Sequence, residues 1–320
     1  MALKFDAEFE RLAGPILAMM AQAPQPAVHD WQARRAATEV GFGALMAGFP
    51  DAPDVVKTEY KLKSHDGVEI SVWKKAKQGV DASKPTPAIL HAHGGGMIAG
   101  TTSTFTKSLD LLVSTTGIPT FDVEYRLAPE QQHTGLVEDC YAALLWLHEH
   151  AAEHNVDTSR LCVMGESAGG GIAAGLALMA RDRNLSPPLA KQILVYPMLD
   201  YKNTRPVPAL SKWLVWNEEA NLTGWGALLG DRLESGDVSH YASPTYAKDL
   251  AGLPSTYIDC GTLDLFRDED TDYAKRLIEA GVDVELHLWP GVPHAFEVLA
   301  PTSSLTQQAS AARLRAITTF

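Results

Sequence analysis

Gly165-Glu166-Ser167-Ala168-Gly169 sets a serine between two glycines, directly after the apolar run RLCVMG and just ahead of the helical stretch IAAGLALMARDR. A G-x-S-x-G pentapeptide at a strand-to-helix turn lifts its serine from the carboxyl edge of a sheet, and the strained backbone there needs small neighbours. The amide of Ala168 would then open a helix, where unpaired N–H groups and the positive end of the dipole favour a developing oxyanion. A serine hydroxyl is a weak nucleophile until a base takes its proton. VELHLWPGVPHAF offers two imidazoles: His287 falls within a strand pattern, whereas His294 follows Pro290-Gly291-Val292-Pro293 in a loop past the strand end. His294 is therefore the candidate base. The imidazole needs a carboxylate to fix its tautomer. In STYIDCGTLDLFRDED, Asp259 lies in a strand and Asp268, Glu269 and Asp270 suit the first turn of the next helix, which leaves Asp264 in the loop. The order Ser167, Asp264, His294 is that of α/β-hydrolases.

The stretch HAHGGGM, residues 91–97, admits two chemistries. His91 and His93 on one strand face could hold a metal, but no H-E-x-x-H or similar cluster accompanies them, so no metal is expected. Three glycines let a backbone approach a substrate carbonyl closely. Gly94 and Gly95, with Ala168, are the candidate oxyanion donors; His93 is read as a buried scaffold and His91 as an ordinary strand residue.

These residues need a frame that brings distant segments to one edge. After Pro85 the chain alternates short apolar runs (PAILHAH, IPTFDVEY, RLCVMG, QILVYP, STYIDCG, VELHLWP) with amphipathic stretches such as GLVEDCYAALLWLHEHAAEHN. That rhythm predicts an α/β fold with a parallel sheet buried on both faces. Before it, VVKTEYKLKS and VEISVWKK flank the His65-Asp66-Gly67 turn and predict an antiparallel hairpin at the sheet edge. The first fifty residues read as two helical pieces, and residues 201–245, with Pro206, Pro208, Trp213, Trp216 and Trp225, break the rhythm as an insertion.

The chain has 320 residues, a formal charge of -12 and no Lys/Arg run, which argues against nucleic acid. No apolar run approaches the roughly 18 to 20 residues of a membrane span, and the start lacks the order of a secretory signal. A cytoplasmic protein is expected, with Cys140, Cys162 and Cys260 as reduced, buried thiols.

With both glycine motifs located, the chain resembles the hormone-sensitive-lipase family of esterases, bacterial family IV. His93-Gly94-Gly95-Gly96, Tyr125-Arg126-Leu127-Ala128-Pro129-Glu130, Gly165-Glu166-Ser167-Ala168-Gly169-Gly170, Tyr196-Pro197-Met198-Leu199-Asp200, Asp264-Leu265-Phe266-Arg267-Asp268-Glu269 and Pro293-His294-Ala295-Phe296 carry the resemblance, across roughly residues 85 to 300. It implies the α/β-hydrolase fold: a mostly parallel sheet with helices on both faces, an antiparallel N-terminal edge and a helical cap. Residues 1–50, and in part 201–245, would form that cap over a catalytic domain of residues 51–320. The resemblance further implies a carboxylic-ester hydrolase without a cofactor, with Ser167, Asp264 and His294 as triad and Gly94, Gly95 and Ala168 as oxyanion hole; it allows a homodimer through a sheet edge. Two positions depart from the family pattern. Glu166 stands where Asp is common, and Leu265-Phe266 replaces the Pro-Leu of the usual Asp-Pro-Leu, which makes Asp268 the fallback for the acid.

The expected reaction is acyl transfer through Ser167, with activity climbing between about pH 6 and 7 because only neutral imidazole takes a proton. Met97 is a pocket candidate. Met19, Met20, Phe42, Leu45 and Met46, and Leu210, Trp213, Leu214 and Trp216 of the insertion, either line a pocket or glue cap to core. A covered cleft suits soluble short-to-medium acyl esters better than lipid surfaces. A lactonase, deacetylase or amidase would use the same triad; a non-catalytic small-molecule receptor would reuse the fold without needing it.

Overall fold

The computed structural model describes residues 3–80, 83–204 and 207–320, so part of the Pro206 signal lies outside the described residues. Eight strands form one sheet: β1 (Val55–Lys63), β2 (Glu69–Lys77), β3 (Thr86–Ala92), β4 (Thr120–Glu124), β5 (Val156–Glu166), β6 (Lys191–Val195), β7 (Ser255–Gly261) and β8 (Val284–Trp289). Their spatial order is β1-β2-β4-β3-β5-β6-β7-β8. The β1/β2 and β2/β4 pairs are antiparallel and all others parallel. β1, with one free edge, is largely exposed, while β6 is buried throughout.

Neighbouring residues of the central strands enter opposite cores, as the two-residue period of a strand requires. Leu90, Val163, Leu194 and Ile258 join the larger core with α4 (Gly135–Glu149) and α5 (Ala168–Asp182). Ile89, Cys162, Ile193 and Tyr257 point the other way, against α3 (Thr106–Thr116) and α10 (Ser304–Thr318). The remaining helices are α1 (Ala7–Gln22), α2 (Trp31–Ala47), α6 (Glu218–Leu229), α7 (Arg232–Ser235), α8 (Arg267–Glu279) and α9 (Phe296–Leu299).

The two N-terminal helices are capped by aspartates: Asp6 accepts from the Glu8 and Phe9 amides, and Asp30 from that of Ala33. Both helices sit at the carboxyl edge of the sheet. α1 buries Phe9 and Ala13 against Trp289, Val292 and Phe296, and the Asp6 amide donates to the Gly291 carbonyl at 2.8 Å. From α2, Arg35 donates to the carbonyls of Ile98 and Ala128 and pairs with Glu130, while Phe42 rests on Phe105. The insertion contributes α6, capped by Asn217 and carrying the fully buried Trp225; Thr223 of α6 accepts from the His29 amide. No helix among the described residues is long and apolar enough to cross a membrane.

Candidate active site

β5 ends at Glu166, and Ser167 follows at φ 58° and ψ −122°, a conformation L-residues rarely adopt. The chain tolerates it because nothing bulky flanks it. A Cβ on Gly165 would lie 2.2 Å from the Gly169 carbonyl oxygen, and one on Gly169 would lie 2.0 Å from that of Ala92. The elbow is held on both sides: the Ser167 amide donates to Val195, and the Ser167 carbonyl accepts from Met198.

Ser167 Oγ lies 2.9 Å from His294 Nε2, and His294 Nδ1 lies 2.7 Å from Asp264 Oδ2. Asp264 is fully buried; Ser167 and His294 each keep 7% of their surface exposed. The three residues follow β5, β7 and β8 and meet at the carboxyl edge of the sheet. Asp264 uses its other oxygen to accept from the Phe266 amide, so the loop closes as an Asx turn without proline. Tyr196 and Phe266 hold the His294 ring edgewise, with centroids 4.6 and 5.2 Å away. Asp268, the fallback acid, has a largely exposed side chain paired with Arg267.

The glycine loop requires one correction. The Gly94 amide donates to Glu166 Oε1 at 3.0 Å, so Gly94 is not a free oxyanion donor. The Gly95 and Gly96 amides have no acceptor among the described residues, and Ala168, as the first residue of α5, has no intrahelical one. A Cβ at Gly95 would meet the Ala99 carbonyl oxygen at 1.9 Å, and one at Gly96 would meet the Trp216 ring at 2.2 Å. His93 is buried between Tyr125 and Phe105, with Nδ1 donating to the Gly94 carbonyl and the Tyr125 hydroxyl donating to the His93 carbonyl.

His91 is more than an ordinary strand residue. Its Nδ1 lies 2.8 Å from Asp122 Oδ1 and its Nε2 2.9 Å from Glu166 Oε2. Burial opposes a charge on this ring, but the facing Glu166 and Asp122 carboxylates outweigh it and push its pKa up to about 10. A pKa raised on folding stabilises fully below the unfolded value of about 6.5, and the contribution fades as pH climbs through 10. The melting-temperature gap between wild type and His91→Gln is therefore expected to narrow by several degrees from pH 6 to pH 10. A constant gap would contradict the charged assignment.

Other predicted residues land differently. Met97 is buried in the larger core at φ 67°. Trp216 lies over Gly96, its Nε1 held by Asn221. Trp213 packs edgewise on Phe5. Met19 is 66% exposed, and Leu210 is buried. Among the described residues, no group of three or more His, Cys, Asp or Glu side chains is placed to hold a metal ion. Cys140, Cys162 and Cys260 are free and buried.

Sequence reasoning missed the polar network behind His294. The Tyr196 hydroxyl donates to Glu297 Oε1, and Arg313 pairs with both Glu297 and Asp259. Glu297 stands three residues after His294, a spacing that carried no signal of its own.

Residues 89–298 match a family model described as alpha/beta hydrolase fold. The chain is 31% identical over 297 residues to the ethyl acetate hydrolase of Pseudomonas putida, covering 90% of this chain and 88% of that protein. It is 32% identical over 216 residues to esterase LipI of Mycobacterium tuberculosis, spanning 66% of this chain and 65% of that one. Among solved structures, a bacterial heroin esterase superposes with a TM-score of 0.88 at 36% identity, covering 98% of this chain and 97% of the other.

Proposed function

The chain belongs to the hormone-sensitive-lipase family of the α/β-hydrolase fold, and on that premise we propose that it is a serine carboxylesterase acting on short-to-medium acyl esters. The observation that carries this reading is the unbroken hydrogen-bonded line from Ser167 Oγ through His294 to the buried Asp264. In the forward step His294 Nε2 takes the Ser167 proton while Oγ bonds to the ester carbonyl carbon. The carbonyl oxygen becomes an oxyanion, received by the amides of Gly95, Gly96 and Ala168. Each such donor typically contributes about a hundred- to a thousandfold in rate. Collapse breaks the ester C–O bond, with His294 passing its proton to the departing alcohol. Water, deprotonated by the same ring, then attacks the acyl-enzyme and releases the acid.

Several features support short acyl chains. Ser167 is nearly covered, Trp216 and the backbone of Gly224 press on Gly96, and α1 and α2 pack on the loops that carry the site. Residues 1–50 with α6 act here as a cap over the catalytic domain. The names ethyl acetate hydrolase and heroin esterase among the relatives agree with this range. Turnover of p-nitrophenyl esters of graded length tests it: rates should be highest for chains of a few carbons. Trp216→Ala, by clearing the space over Gly96, should move the optimum to longer chains, since one methylene in such a pocket is worth about ten- to two-hundredfold. An unchanged profile would remove Trp216 from the pocket. Three buried thiols fit a reducing cytoplasm, and the free edge of β8, where Leu288 is exposed, is the face a homodimer would use.

A further inference from the structure

We propose that His91 is a positioning residue of the ester-cleaving site: with its Nδ1–H anchored on Asp122, its Nε2–H holds the Glu166 carboxylate against the Gly94 amide and so sets where the Gly95 and Gly96 amides lie relative to Ser167. This rests on the serine esterase reading and adds to it the device that joins its two halves. The nucleophile comes from the end of β5 and the oxyanion amides from the loop after β3, and each belongs to a separate turn with its own strain. Glu166 links them. It precedes Ser167 in sequence, and its Oε1 accepts from Gly94, the first residue of the glycine run. The two backbones also nearly touch there, since a Cβ at Gly94 would lie 3.1 Å from the Glu166 carbonyl oxygen.

A carboxylate with a single amide partner could swing; its second oxygen decides whether it does. That oxygen faces His91 Nε2 at 2.9 Å, while His91 Nδ1 faces Asp122 Oδ1 at 2.8 Å. A neutral imidazole has one N–H and one lone pair, and a carboxylate has no proton to offer the lone pair. Two carboxylates on opposite sides of one ring are satisfied only when both nitrogens carry protons. The line continues inward, with the buried Lys75 ammonium 3.5 Å from Asp122 Oδ2 and donating to Thr106 Oγ1 at 2.7 Å. Charges therefore alternate from Lys75 through Asp122 and His91 to Glu166, and the row ends on the oxyanion loop. The hydrogen bonds and ion pairs of these four side chains go to one another, to Gly94, Thr106 and Asp110, and not to the triad. Buried ion pairs contribute little net stability but hold their geometry when complete, which is what a site built from two separately strained turns needs.

The test compares His91→Leu, Glu166→Ala, both together, and Glu166→Gln, using a p-nitrophenyl ester and its thionoester. Sulfur accepts poorly from amides, so wild type should strongly prefer the oxo substrate. Misaimed donors typically cost about 10- to 100-fold in kcat. His91→Leu and Glu166→Ala should each lose that much on the oxo-ester, with KM within about threefold, and the oxo-over-thiono preference should fall by the same factor. The double variant should be no worse than the weaker single, because both act through one contact. Glu166→Gln keeps an oxygen for Gly94 and an N–H for a neutral His91, and should retain most of the activity. Should His91→Leu fail to fold by circular dichroism, the two Glu166 variants carry the test. Equal losses on both esters, multiplicative losses in the double variant, or wild-type kcat in folded His91→Leu would each overturn the proposal. Wild-type turnover by Ser167→Ala would instead overturn the esterase reading beneath it.

Discussion

Ser167→Ala is expected to lower kcat by about five to six orders of magnitude while leaving the fold and KM almost unchanged. The hydroxyl contributes nothing to packing that a methyl cannot replace, and the elbow is held by the backbone bonds of residue 167 to Val195 and Met198. Loss of Oγ removes the atom that must bond to the carbonyl carbon. The amides of Gly95, Gly96 and Ala168 survive, and they should sustain a residue of roughly a thousandfold over the uncatalysed reaction. His294→Ala should fall by a similar amount, and the two together by scarcely more, since they act as one unit. Rates for both, with circular dichroism as a check on folding, settle the matter; multiplicative losses would mean that the two residues act independently.

Asp264→Asn carries the second large effect, about ten-thousandfold in kcat. The substitution keeps shape and volume in a fully buried site. It reverses the hydrogen bond: an amide nitrogen facing His294 Nδ1 forces the proton onto Nε2, the atom that must accept from Ser167. Asp268→Ala is the control. The Asp268 side chain is 73% exposed and pairs with Arg267, so this variant should match wild type within about twofold, as surface pairs usually do. A collapse in Asp268→Ala with an active Asp264→Asn would transfer the acid's role to residue 268.

The strands that position the site were legible because each buried one is a continuous apolar run, and because a glycine- or proline-marked loop follows it. Ser167, Asp264 and His294 each stand just past such a run, so one local signal located three residues that are far apart in sequence. The Gly94 reading failed for a non-local reason. Three glycines announce a close backbone approach but not which amide is already taken, and the acceptor, Glu166, reaches Gly94 only because β3 pairs with β5. His91 was underrated for the same cause: its partners come from β4 and from the end of β5. Cap residues were the least legible. Met19 and Trp213 have the same apolar character as Trp216, and only the packing of α1 and the insertion sends one outward, one to Phe5 and one over Gly96. The missing proline after Asp264 mattered less than its absence from the motif suggested, because the Phe266 amide closes the turn.

The most direct test is covalent. Wild-type protein treated with one equivalent of a p-nitrophenyl phosphonate, which leaves a stable tetrahedral adduct on an activated serine, should lose activity in step with the release of one p-nitrophenol per chain. Peptide mapping should then place the single adduct on Ser167. An adduct on another residue, or full esterase activity in protein quantitatively labelled at Ser167, would contradict the claim that this hydroxyl receives the acyl group.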